Sequence, residues 1–154
     1  MYSFRNDYSE GAHPSVLKAL MDTNLEQTVG YGLDPRCEAA GETIRRLCHA
    51  PDAAVHFLVG GTQTNMVVIE SLLQPYEAVI SAHTGHVNVH ETGAIEATGH
   101  KVCTAYAPDG KLTPELVESV VKAHSSEHMV HPRLVYISDT TEVGTIYTKS
   151  ELQA

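Results

Sequence analysis

The chain has 154 residues, 42% apolar and 19% charged, with a formal net charge of -9 when its 10 histidines are neutral. This suits a soluble globular domain, or part of a larger one, long enough to build a core, and it excludes the basic face a nucleic-acid partner requires. Cys37, Cys48 and Cys103 are odd in number, widely spaced and without a CxxC, so no disulfide framework or cysteine zinc site is expected and a reducing, cytoplasmic setting fits.

The opening "MYSFRNDYSEG" shows no apolar signal-peptide region, and no apolar run approaches the length of a membrane span. Residues 13–24 start with a proline and carry Val16, Leu17, Leu20 and Met21 on one side, which predicts a short amphipathic helix. A Gly/Pro loop follows over 29–37, then a second helix over 37–50. The apolar run 53–59 reads as a strand entering "GGTQTN" and a helix over 66–73. A strand over 77–81, a helix over 86–99 stopped by Gly99, and a strand over 101–106 come next. Thr113 as N-cap and Pro114 at the first helical position open a helix over 113–126, with Leu116, Val117, Val120 and Val121 on one face. The run 133–138 is a β-branched and aromatic strand, and "TKSELQA" starts a last helix. The alternation predicts an α/β fold with a mostly parallel sheet, divided as 1–50, a helical segment and loop, and 51–154, the first part of a larger α/β domain. Only part of such a layer is visible, so the chain is expected to be the first portion of a longer protein.

Three stretches carry chemistry. In "FLVGGTQTN" an apolar run meets Gly60 and Gly61 and then a polar helix start. Unpaired amides and the helix dipole would make a phosphate cup there, with Thr62 and Thr64 adding hydroxyls; the bland alternative is a plain turn with a polar cap. There is no Gly-Lys-[Ser/Thr] and no GxGxxG, so neither a P-loop nor a dinucleotide site is favoured. In "HTGHVNVHE" (83–91), His83, His86 and His90 would share a helix face. A metal is disfavoured, because the HExxH pattern and a third ligand are missing. The rings can instead be ordinary turn, cap and surface groups, or one can face a ligand gripped by the Gly-Gly turn, beyond the carboxyl ends of the strands. Asp139, Thr140, Thr141 and Glu142 reach the same edge, where Asp139 can cap a turn or meet a ring nitrogen.

Taken in order, "FRNDYSEGAHPSVLKAL", "GYGLDP", "FLVGGTQTN", "HVNVHETGAIEATGHKV" and "LVYISDTTEVGT" resemble the N-terminal half of the low-specificity L-threonine aldolases. These belong to the β-eliminating lyase group of fold-type-I pyridoxal-phosphate (PLP) enzymes. The resemblance implies the three-layer, mostly parallel sheet of the aspartate-aminotransferase-like large domain, incomplete in this chain. It implies PLP as cofactor and cleavage of β-hydroxy amino acids to glycine and an aldehyde. Gly61, Thr62 and Gln63 match the family's phosphate turn, and His86 matches the histidine that stacks on the pyridine ring and is an acid/base candidate. His90 matches a position near the substrate, Asn6 a serine that contacts the substrate carboxylate, and Tyr31 a loop near the active site. Relatives of this kind are dimers of dimers, with the segment 13–24 a candidate for the contact, and a small amino acid rather than nucleic acid or membrane is the partner. Departures are Asn6 for serine, and "SDTTE" for "ENTHN", which puts Thr141 in place of a histidine and leaves Asp139 unsuited to the pyridinium nitrogen. Lys18, Lys101, Lys111, Lys122 and Lys149 do not match the family's cofactor-binding lysine. Alternatives are another PLP-dependent β-eliminating amino-acid lyase, or a non-catalytic, histidine-rich metal-binding or structural α/β module.

Overall fold

A computed structural model describes residues 3, 6 and 8–154. The chain divides into two compact units, Met1–Phe57 and Leu58–Ala154.

The first unit contains helices α1 (Pro14–Thr23) and α2 (Pro35–Leu47). Pro14 starts α1, where the side chain of His13 accepts a hydrogen bond from Ser15 N–H at 3.2 Å. No residue of α1 is buried, and Val16, Leu17, Leu20 and Met21 are exposed. Helix α2 begins two residues before the expected start, inside the stretch read as loop. The reason is local: Asp34 accepts from the amides of Arg36 (2.9 Å) and Cys37 (3.0 Å), and Pro35 takes the first helical position. The Cys37 side chain foremost, and then the Cys37 amide, hold the Asp34 carboxyl below its ordinary range.

The second unit is built from α3 (Gly61–Leu72), β1 (Glu77–Ala82), α4 (His86–Val89), α5 (Ala94–Ala97), β2 (Lys101–Ala105), α6 (Pro114–Ala123), β3 (His131–Val135) and α7 (Lys149–Gln153). The sheet is parallel throughout, in the order β2-β1-β3. Val79 lies opposite Val102 and Leu134, and Ile80 opposite Cys103 and Val135. The β1–β3 ladder is irregular between Ala78 and Val79, beside Pro132, which has no amide proton to give. Alternation along β1 feeds two cores. Ala78, Ile80 and Ala82 pack with Cys103, Ala105, Leu112 and Val120 beneath α6. Val79 packs with Ile69, Leu73, Val87, Ile95 and Val102 beneath α3, α4 and α5. The result is three layers, as the sequence implies. Val79, Ile80, Val87 and Ile95 are fully enclosed, each contributing about 1.5–3 kcal/mol of apolar burial.

Two expectations fail. Residues 53–59 form no strand, because a strand exists only through ladder partners and none of the described residues pairs with this run. The helix expected over 86–99 is broken: Thr92 (φ 54°) and Gly93 (φ 74°) adopt left-handed backbone between α4 and α5. Gly99 does end the helical stretch, at φ 93°. Among the described residues no helix is long and apolar enough to cross a membrane.

Candidate active site

The carboxyl ends of β1 and β3 open onto two loops, 83–85 and 136–142. The crossover from β1 to β2 runs through the layer of α4 and α5 and that from β2 to β3 through the layer of α6, so the strand order reverses between β1 and β3, the kind of crevice where open α/β sheets place ligands.

The loop after β1 is held from both sides. His83 N–H donates to Ala105 O at 2.8 Å, and His83 Nδ1 accepts from Ala107 N–H at 3.2 Å. The His83 ring lies 4.6 Å from that of Tyr106. Gly85 presses against the end of β1: a Cβ there would sit 2.1 Å from Ser81 Oγ and 3.1 Å from Ala82 O. Gly85, not His86, is the N-cap of α4, and His86 is the first helical residue.

His86 Nδ1 lies 2.8 Å from Glu91 Oε1. The same oxygen accepts from Asn65 Nδ2 at 2.5 Å. Asn65 stands in the second turn of α3, so this carboxylate joins the helix that begins at Gly61 to the histidine that follows β1. Glu91 is 4% exposed, and its second oxygen, Oε2, is buried with no partner among the described residues. An orphaned buried acceptor of this kind costs about 1–3 kcal/mol. An ionised carboxylate only accepts, so this contact suits a neutral imidazole with its proton on Nδ1, whose Nε2 would then be an acceptor. The His86 side chain is 41% exposed. Its ring lies 5.5 Å from that of His90, and His90 Nε2 reaches Glu142 Oε2 at 4.0 Å. His90 and Glu142 thereby span the crevice between the loops after β1 and β3.

The start of α3 is open. Gly60 is extended, no side chain caps the helix, and a Cβ on Gly60 or Gly61 would meet nothing within 4 Å. The first helical hydrogen bond runs from Thr64 N–H to Gly60 O at 3.0 Å, which leaves the amides of Gly61, Thr62 and Gln63 ahead of it. Gln63 turns its side-chain oxygen back to Val59 N–H at 3.0 Å, and Thr64 Oγ1 donates to Gly60 O at 2.9 Å, so both brace the turn from within.

Asn6 and Tyr31 belong to the first unit. Asn6 Oδ1 accepts from Tyr8 N–H (3.2 Å) and Ser9 Oγ (2.5 Å). Tyr31 has φ 64° and is fully exposed. In the loop after β3, Asp139 Oδ1 accepts from Tyr147 N–H at 3.2 Å, a brace across the loop rather than a cap on the next turn. Thr141 is buried and shares a 2.7 Å hydroxyl contact with Thr145. Among the described residues no group of three His, Cys, Asp or Glu side chains is placed to hold a metal ion.

Sequence reasoning gave no role to Asn65 or Glu91, and it placed Glu142 at this edge without its His90 partner. Glu91 ends the quoted histidine stretch and Asn65 ends "GGTQTN". The available signal was a lone acidic residue amid an otherwise apolar and histidine-rich stretch, which calls for a buried partner.

Relatives carry the comparison further. The chain is 35% identical over 153 residues to the low specificity L-threonine aldolase of Pseudomonas sp. (strain NCIMB 10558), across 98% of this chain and 44% of that protein. The low specificity L-threonine aldolase of Pseudomonas aeruginosa is 33% identical over the same shares. A solved structure of Leishmania major threonine aldolase superposes with a TM-score of 0.96 at 56% identity, covering 99% of this chain and 44% of that one. The chain thus spans a little under half the length of the proteins it matches. The β-eliminating lyase family model matches residues 4–154, both units included, and with the layered sheet and the open start of α3 this places the chain in the β-eliminating lyase family.

Proposed function

We propose that this chain is part of a PLP-dependent aldehyde-lyase that cleaves L-threonine, L-allo-threonine and similar β-hydroxy amino acids to glycine and an aldehyde. The observation that carries this reading is the Asn65–Glu91–His86 connection, which ties the open amide end of α3 to an imidazole with an acceptor nitrogen to spare. Sequence relatives named as L-threonine aldolases and a solved structure named as a threonine aldolase support it.

The residues fit the cofactor. The amides of Gly61, Thr62 and Gln63, with the Thr62 hydroxyl, would hold the phosphate at an uncapped helix start where no side chain intrudes. Glu91, with its orphaned Oε2, places one negative charge behind His86 on the side away from the free nitrogen. Bound there, PLP supplies an electron-accepting ring for the pair released when the Cα–Cβ bond breaks. His86 would face that ring, and its Nε2 would accept the proton of the substrate β-hydroxyl. By the family resemblance, His90 would lie beside the substrate, and Tyr31 and Asn6 would have substrate-side roles, Asn6 toward the carboxylate. None of the five lysines matches the family's cofactor lysine, and Lys18, Lys111 and Lys122 are engaged with Asp22, Glu151 and Glu118, so a covalent anchor would have to come from outside these 154 residues. The apolar side of α1, none of it buried, serves as a contact in a dimer of dimers.

The test is made on the full-length protein. Addition of PLP turns it yellow, and L-threonine then releases acetaldehyde, read by coupling to alcohol dehydrogenase. Bound PLP with a keto acid and ammonia as products points instead to another β-eliminating lyase. A protein that takes up no PLP refutes the assignment.

A further inference from the structure

We propose that Glu91 is the positioning residue for His86: it fixes the imidazole in the Nδ1–H tautomer, and Asn65 locks Glu91 in place so that the start of α3 and the histidine are held as one piece. The inference rests on the functional reading above, and extends it to residues that reading does not otherwise explain.

Three observations converge. The first is the backbone. On a continuous helix, residues five apart point about 140° away from each other, so His86 and Glu91 could not meet. Helix α4 instead ends at Val89, and the C-cap His90 leaves helical backbone (φ -126°, ψ 10°), which lets Glu91 turn inward to 2.8 Å from His86 Nδ1. The second is burial. A carboxylate with a fully enclosed side chain has no water to solvate it, and its two donors both converge on Oε1. A buried charge with so few partners is costly unless it does work on one of them. The third is connectivity. Asn65 donates from the helix whose first amides form the anion cup, four residues before it.

The titratable groups around His86 are Glu91 at Nδ1 and His90, whose ring lies 5.5 Å away and which in turn approaches Glu142. None of the described residues engages Nε2. With Nδ1–H committed to Glu91, Nε2 has one state, a lone-pair acceptor. Without Glu91 the ring is free to carry its proton on Nε2 and would present a donor where an acceptor is required.

The test compares Glu91→Leu, which fills the volume and removes the acceptor, with Glu91→Gln, whose side-chain oxygen still accepts from Asn65 and His86. The readout is the tautomer of His86 by nitrogen-15 NMR on the histidine-labelled full-length protein without cofactor, the signal being assigned by its loss in His86→Gln. Wild type and Glu91→Gln should show a protonated Nδ1 and a bare Nε2. Glu91→Leu should show Nε2 protonated in a substantial fraction of molecules. In the loaded enzyme Glu91→Leu should lower kcat tenfold or more with KM within about twofold, and Glu91→Gln should recover most of that loss. An unchanged tautomer in Glu91→Leu overturns the proposal. If Glu91→Leu does not fold, loss of the Nδ1–H tautomer in Glu91→Gln overturns it instead. Because the tautomer is read without PLP, its outcome stands whether or not the protein proves to be an aldolase.

Discussion

Alanine at Gly85 tests whether the histidine loop is seated on β1 by contact alone. The backbone there (φ -60°, ψ 143°) is ordinary for any residue, so alanine brings no backbone strain and, through the unfolded chain, would on its own stabilise by about 0.4–1 kcal/mol. The contact reverses this. Its Cβ would stand 2.1 Å from Ser81 Oγ, more than about 1 Å inside van der Waals range. Ser81 is fully buried and donates to Ala82 O at 3.1 Å. Rotating the hydroxyl away abandons that bond in a closed space, and moving the loop away opens a gap. Overpacking and a stranded hydroxyl together put the cost at about 3 kcal/mol. Urea unfolding of the full-length protein, followed by circular dichroism, reads it. Ser81→Ala removes the obstructing oxygen, so the double variant should return to within about 1 kcal/mol of wild type, with a coupling of at least about 1.5 kcal/mol. A Gly85→Ala protein as stable as wild type, or two costs that simply add, would show that the close approach does not set the loop.

Gly61→Asp should leave the fold intact, since its Cβ meets nothing and an acid suits a helix start, while lowering PLP affinity at least tenfold in an equilibrium titration; undiminished affinity would remove the anion cup. Ile95→Ala should cost about 2–5 kcal/mol in urea unfolding, because Ile95 is wholly enclosed in the core beneath α3 to α5. The Glu151 carboxyl is held down from 4.5 to about 2, first by Thr148 N–H and then by Lys111. A carboxyl depressed in the folded state supports it above about pH 4.5 and loses that contribution as pH falls through about 2, so carbon-13 NMR should find its midpoint near 2. A midpoint near 4.5 would mean that the capping box of α7 does not form.

What could be read from the sequence was what is local. Thr113 and Pro114 announce α6 because capping needs only the next few residues, and Thr113 does accept from Leu116 N–H, at 3.4 Å. The strand at 77–82 shows as an apolar run because it is buried on both faces, and that at 101–105 through Val102, Cys103 and Ala105, with Lys101 and Thr104 exposed. Residues 53–59 carry the same texture and form no strand, since pairing is not a property of the run itself. At the site, the Gly-Gly turn and His86 were visible, but their link was not. A helical period carried through residues 86–99 sends Glu91 to the wrong side, and the end of α4 at Val89, with His90 off helical backbone, brings it back. Asn6 and Tyr31 come from the resemblance alone, as no spacing in the chain marks them.

The anchoring of His83 sets the order in which the site can be made. The loop that carries His86 leaves β1 early in the chain, yet its two backbone and ring anchors, Ala105 and Ala107, lie some twenty residues downstream. A ribosome delivers residues one at a time from the N-terminus. Helix α3 cannot stand alone before then either, because a 12-residue helix is marginal in water and its Ile69, with Leu73 just beyond it, packs against Val79, Val87, Ile95 and Val102. Both the start of α3 and the histidine loop therefore wait for β2 to emerge and pair. A pause in translation before Ala107 would hold the nascent chain with neither of them placed.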